Sequence, residues 1–130
     1  MGATHMQIGE VADRTGLSLR TIRHYEEVGL APPSARSQGG FRLYTEADVT
    51  RLMVIKRMKP LDFTLEQMRD LLGVLDELQT DPCAERRSEL TGRLTGYRDM
   101  VLRRCEEIRT RLADAERFST ELTDALKSAS

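Results

Sequence analysis

Residues 8–30 read "IGEVADRTGLSLRTIRHYEEVGL", and the way this stretch breaks decides the fold. Ile8, Val11, Ala12 and Thr15 recur at helical spacing, and Gly16 then stops the helix. A second helix begins at once. Ser18 is a natural N-cap, whose side-chain oxygen accepts an otherwise unpaired backbone N–H. Leu19, Ile22 and Val28 form a narrow apolar stripe along it. Gly29 stands where a left-handed residue ends a helix, with Leu30 as its hydrophobic partner. Two short helices around a tight glycine-containing turn form a helix-turn-helix pattern. By itself that pattern does not establish DNA binding.

The next stretch, "APPSARSQGG" at 31–40, forbids helix. Pro32 and Pro33 lock an extended or turn backbone, and the Gly39-Gly40 pair permits the positive φ of a hairpin turn. "FRLY" at 41–44 alternates and is rich in strand formers. Residues 33–44 therefore read as a two-stranded hairpin, marginal alone and in need of support from the helices. Thr45 opens a third helix with a capping-box-like "TEAD", carrying Asp48 at N3. Val49, Leu52, Met53 and Lys56 continue at helical spacing until Pro60 ends the run. Thr64 caps a fourth helix with Gln67 at N3, and Leu65, Met68, Leu71, Leu72 and Leu75 make its expected buried face.

From about Ala84 to Ala125 there is no proline, and Gly92 and Gly96 are the weak points. Leu94, Val101, Ile108, Ala115 and Leu122 recur at intervals of seven. A second row holds Leu90, Tyr97, Cys105, Leu112 and Leu126, with Arg104 and Arg111 intruding. One long amphipathic helix of roughly 40 residues, about 60 Å long, is the simplest reading. A head of about 75 residues cannot cover such a stripe, so the helix is expected to pair as a homodimer through Leu90, Leu94, Tyr97, Val101, Ile108 and Leu112. The competing reading is a helix folded back at Gly92 or Gly96.

Charge is unevenly spread along the 130 residues, whose net is −1. Arg14 to Lys59 carries nine Lys/Arg against four Asp/Glu, whereas Asp62 to Asp81 carries one against six. A basic block in a near-neutral chain points to a localised anionic partner, nucleic acid first. The alternative is a set of solvated helix faces. No apolar run approaches the roughly 18 residues of a membrane span, and no signal-peptide pattern is visible. A soluble, cytoplasmic, nucleoid-associated protein with no membrane partner is the expectation. Residues 1–5 lack periodicity and precede a second methionine, Met6; they read as an appended tail, and His5 receives no role.

The order of elements, with "IGEVADRTGLSLRTIRHYEEVGL", "GGFRLYTEADVTRL" and "LDFTLEQMRDLL", resembles the MerR family of bacterial transcription regulators. The likeness covers residues 7–75 almost without a gap. It implies a mainly α fold: a winged helix-turn-helix head over 6–80 with a small β-hairpin wing, then a dimerisation helix over 82–127 in an antiparallel coiled coil. It also implies a homodimer on double-stranded, pseudo-palindromic promoter DNA, with distortion of that DNA for RNA polymerase.

Arg20 and Arg23 lie three apart near the start of the second helix and so share a face. That end of a recognition helix reaches base edges in the major groove, where arginine takes guanine O6 and N7. Family members contact DNA at the positions of Arg20, Arg23 and Tyr25. Thr21 reads as a base or phosphate contact, and His24 as a phosphate contact or a surface histidine without a role. Glu26 and Glu27 would repel phosphate, so the contacting face is expected to end before them. In the wing, Arg42 is the first phosphate candidate and Arg36 the second. Phe41 stands where the family usually has tyrosine; it can pack on sugar but lacks the hydroxyl. Tyr44 reads as core. Lys59 matches a position that is basic in many relatives, and Asp62 replaces a usual glycine.

The signal is less legible. Metal-responsive relatives carry one cysteine near the start of the long helix and more in a loop after it. Cys83 occupies the first place, but the sequence given ends "DALKSAS". One thiolate is a poor zinc or mercury site, so no metal and no cofactor are expected. Cys83, near a helix N-terminus, is a redox candidate. Cys105 reads as a small apolar residue of the coiled coil. Drug-sensing relatives add a C-terminal domain not seen in this stretch. Three readings follow: the protein has no ligand, the chain is cut short of a ligand-binding region, or a small pocket lies at the dimer junction. The residues offer no phosphate loop, carboxylate pair or Ser/His/Asp set, so an enzyme is not expected. The other readings are a coiled-coil interaction protein, which leaves the wing arginines unexplained, or an architectural DNA-binding protein without a regulatory ligand.

Overall fold

A computed structural model describes residues 5–130; residues 1–4, assigned above to an appended tail, lie outside the described residues. The chain divides into two compact units, one ending at Thr80 and one spanning Asp81–Ser130.

In the first unit, strand β1 (Met6–Gln7) leads directly into α1 (Ile8–Thr15), and α2 spans Leu19–Glu27. Ser18 caps α2 as expected, its Oγ accepting the Thr21 amide at 3.0 Å. The other end closes in a Schellman arrangement: the Gly29 amide donates to Glu26 O at 3.0 Å and the Leu30 amide to Tyr25 O at 2.9 Å. Leu30 is fully buried beneath it. Strands β2 (Ala35–Arg36) and β3 (Arg42–Tyr44) form the wing. Its turn is held by the Gly40 amide on Ser37 O at 2.9 Å, with Gly40 at φ +82°.

The hairpin expected over 33–44 is shorter than that span and is not two-stranded. β1 adds to it antiparallel, giving the order β1-β3-β2, with Met6 opposite Tyr44 and Gln7 opposite Leu43. This supplies the support that an isolated hairpin lacks. Two residues of strand fused to a helix leave no period-2 signal to read.

Helix α3 (Glu46–Met58) begins in a full capping box of Thr45 with Asp48, and α4 (Leu65–Leu78) in one of Thr64 with Gln67. Between them lies a 3₁₀ turn, Lys59–Leu61, with Pro60 inside it. Asp62 follows in the left-handed region, φ 60°, where the family glycine would sit without strain. The buried row of α3 is Val49, Leu52, Ile55 and Met58, so its inward face differs from the one read through Met53 and Lys56. On α4, Met68, Leu71, Leu72 and Val74 are buried, whereas Leu65 is 41% exposed and Leu75 is intermediate. Val11, Ile22, Tyr44, Leu52 and Ile55 are among the fully buried side chains of the core.

Three cations fasten the helix-turn-helix to the rest of this unit. Lys56 Nζ donates to Thr15 O at 2.7 Å, at the end of α1. Arg51 Nε donates to Leu30 O at 2.6 Å, and Arg69 Nη2 to Val28 O at 2.5 Å, just past α2. Each positive charge meets carbonyls at the negative end of a helix dipole.

The second unit is dominated by α5 (Ala84–Ala129), 46 residues long and unbroken at Gly92 and Gly96. At 1.5 Å per residue it spans about 69 Å. Cys83 is its N-cap residue but makes no side-chain cap.

Candidate nucleic-acid interface

Helix α2 and the segment from Lys59 to Met68 line one concavity of about 840 Å³. Arg20, Thr21, Arg23, His24 and Tyr25 enter from α2, and Lys59 from the 3₁₀ turn. Six of the nine DNA candidates are therefore brought together. The side chains of Arg20, Arg23 and Lys59 have no hydrogen-bond or ion-pair partner among the described residues. No ion pair ties up their charge, unlike that of Arg14, which is held in a bidentate pair by Glu46 at 2.6 Å.

Tyr25 behaves differently from its neighbours. It is only 4% exposed, sits one α-helical step (i, i+3) from the buried Ile22, and its phenol is pushed above its ordinary pKa by burial. The His24 and Tyr25 rings lie 6.0 Å apart and tilted by 45°. Phe63, Leu65 and Met68 give the concavity an apolar side that sequence reading did not assign to it. Glu27 also lines it, so the concavity itself extends to the acidic pair.

The wing candidates lie elsewhere. Phe41 is 64% exposed, its backbone N–H donating to Ser37 Oγ at 3.1 Å. Arg36 and Arg42 are direct cross-strand partners. Like charges placed opposite each other repel, and here Glu26 of α2 resolves the conflict. Its Oε1 accepts Arg42 Nε and its Oε2 accepts Arg36 Nη2, both at 2.6 Å. The Glu26 hydrogen bond, then its charge, raises the Arg42 pKa further despite the opposing desolvation. Sequence separations of 10 and 16 residues hid this triad from any local pattern.

In the second unit Leu90 is fully buried, and Leu94, Tyr97 and Val101 are half-buried. Farther along, Ile108 is 38% and Leu112 56% exposed. Phe118, also exposed, continues the heptad row of Leu90 and Tyr97, a residue the sequence reading passed over. Cys83 is exposed and Cys105 half-buried. They lie 22 residues apart, about 33 Å along one helix axis, too far for both to hold one ion in a single chain. Among the described residues no three His, Cys, Asp or Glu side chains gather into a metal-binding group.

Residues 6–74 match the family described as MerR HTH family regulatory protein. The chain belongs to the MerR family. Residues 49–125 also match the MerR DNA-binding family pattern. The MerR chain is 37% identical over 118 residues to the mercuric resistance operon regulatory protein of Bacillus cereus, covering 91% of this chain and 80% of that one. It is 32% identical over 116 residues to the HTH-type transcriptional regulator ZntR of Escherichia coli strain K12, covering 89% and 74%. Among solved structures, a MerR-family transcriptional regulator from Bacillus cereus superposes with a TM-score of 0.57 at 28% identity, over 92% of this chain and 76% of the other. This MerR protein is thus a DNA-binding transcription regulator and not an enzyme. Among its described residues no helix is long and apolar enough to cross a membrane.

Proposed function

We propose that the protein acts as a homodimer on a pseudo-palindromic promoter element, reading base edges through Arg20 and Arg23 and gripping backbone through Lys59 and the wing. The carrying observation is that these three unpaired cations open on one concavity beside the N-terminal half of α2. Arginine there can take guanine bidentately, while Lys59 sets register on phosphate. Thr21 and His24 add polar contacts from the same helix face, and Tyr25 supports that face from beneath. Phe41 packs on sugar from the exposed wing tip.

Pairing through α5 supports the dimer. Ile108, Leu112, Leu122 and Leu126 leave a long apolar row open to water, and a second copy of the same row is its natural cover. Two heads on one duplex would distort it, and RNA polymerase at the promoter is the partner that responds. The protein would act in the cytoplasm, on the nucleoid. Footprinting on genomic fragments, with sedimentation of the free protein, tests this. Two protected half-sites related by a pseudo-twofold and a dimeric mass are expected; a single unsymmetrical footprint from a monomer would overturn the reading.

A further inference from the structure

The triad of Glu26, Arg36 and Arg42 joins α2 to both strands of the wing. Its net charge is +1, not the +2 that the two arginines suggest. The geometry of the pair on Arg42 is selective. Glu26 takes Nε, and neither Nη nitrogen has a partner among the described residues. Those two nitrogens are the fork with which a guanidinium grips a phosphate. Arg36 is more fully engaged, since its Nη1 also donates to Gly40 O at 3.3 Å. The carboxylate is itself largely sheltered, with 16% of its side chain exposed, whereas Arg42 keeps 27% and Arg36 48%. Glu26 therefore stands behind the cations.

We infer that Glu26 is a positioning residue for DNA: by holding Arg42 through Nε and Arg36 through Nη2, it presents the Arg42 Nη fork to one phosphate. This rests on the reading that the wing faces the duplex. Glu26 strengthens DNA binding although its charge has the sign of the DNA. The wing then contributes about one phosphate contact per protomer, or roughly 0.9 in the slope of log K against log salt.

The test is fluorescence titration of a mixed-sequence duplex of about 30 base pairs, since phosphate contacts need no particular operator. Glu26→Gln in the full chain is expected to weaken binding by about tenfold and to lower the salt slope by about 0.9 per protomer. Glu26→Asp keeps the charge and withdraws the carboxylate, so it should weaken binding too; it carries the test alone if Glu26→Gln does not fold. In an Arg36→Ala/Arg42→Ala background the sign inverts. Glu26 is then an unpaired acid, and Glu26→Gln tightens binding about two- to fivefold through lost repulsion. A clamp needed only for folding would show no such inversion. Tighter binding by Glu26→Gln in both backgrounds, or no effect of either variant in the wild-type background, overturns the role of Glu26. If Arg36→Ala/Arg42→Ala binds as well as wild type, the wing reading itself fails.

Discussion

Lys56 Nζ lies 2.7 Å from the carbonyl oxygen of Thr15, and the same ammonium stands 2.9 Å from where a Cβ on Gly16 would fall. The turn between α1 and α2 is therefore constrained twice. Gly16 has φ +74°, which disfavours any other residue, and the space beside it is taken by the cation that caps α1. Gly16→Ala is expected to destabilise the protein by about 1–3 kcal/mol in urea unfolding. Lys56→Met should lower stability by about 1 kcal/mol through the lost bond to Thr15.

Asp62 holds φ 60° after the 3₁₀ turn, a conformation that a side chain resists and glycine accepts. Asp62→Ala is expected to be less stable than Asp62→Gly by about 1 kcal/mol, because aspartate tolerates this region better than alanine and glycine better than both. Equal stability of the two variants in the same unfolding assay would show that the turn relaxes freely.

Tyr44 is fully buried, and its hydroxyl has no hydrogen-bond partner among the described residues. Burial first, then the negative charge of Glu26, raises its pKa above the ordinary value near 10. Tyr25 is raised in the same direction by burial. Because the folded pKa is the higher one, the stability from keeping these phenols neutral is whole below pH 10 and is lost as pH rises through the folded value. Tyr44→Phe should be stabilising by roughly 1 kcal/mol at neutral pH, since it removes an unsatisfied polar atom. It should also lose less stability than wild type above pH 10 in thermal melts.

Ile108 and Leu112 sit on the apolar face of α5. Replacing both with lysine is expected to shift a dimer towards monomer in analytical ultracentrifugation and to lower helix content. Single helices gain little without packing, even when i,i+3 pairs such as Arg86 with Glu89 at 2.8 Å assist.

What could be read in advance divides along physical lines. Caps are local chemistry, so Ser18, Thr45 and Thr64 were each legible from a few neighbouring residues, as was the stop at Gly29. Long heptad spacing likewise announced α5, although its unbroken passage through Gly92 and Gly96 could not be told from periodicity alone. β1 was not legible, because its two residues become a strand only by pairing with Leu43 and Tyr44. The family resemblance implies a DNA contact for Tyr25, and the structure buries most of its side chain. Its spacing of three from Ile22 is the signal that places it inward. Glu26 looks like a repelling charge in the sequence because its partners are distant there and meet it only through the wing.

The α2 concavity, with the unpaired cations Arg20, Arg23 and Lys59, is the proposed seat of the DNA. The most direct measurement is a duplex titration over a series of salt concentrations for wild type, Arg23→Ala and Lys59→Ala, with folding and dimer mass verified for each. On a footprinted operator, Arg23→Ala should lose about 1–3 kcal/mol and relax preference at one base pair. Lys59→Ala should weaken binding to all sequences alike and lower the salt slope by about 1 per protomer. Unchanged affinity and slope in both variants, with the fold intact, would place the DNA away from this concavity.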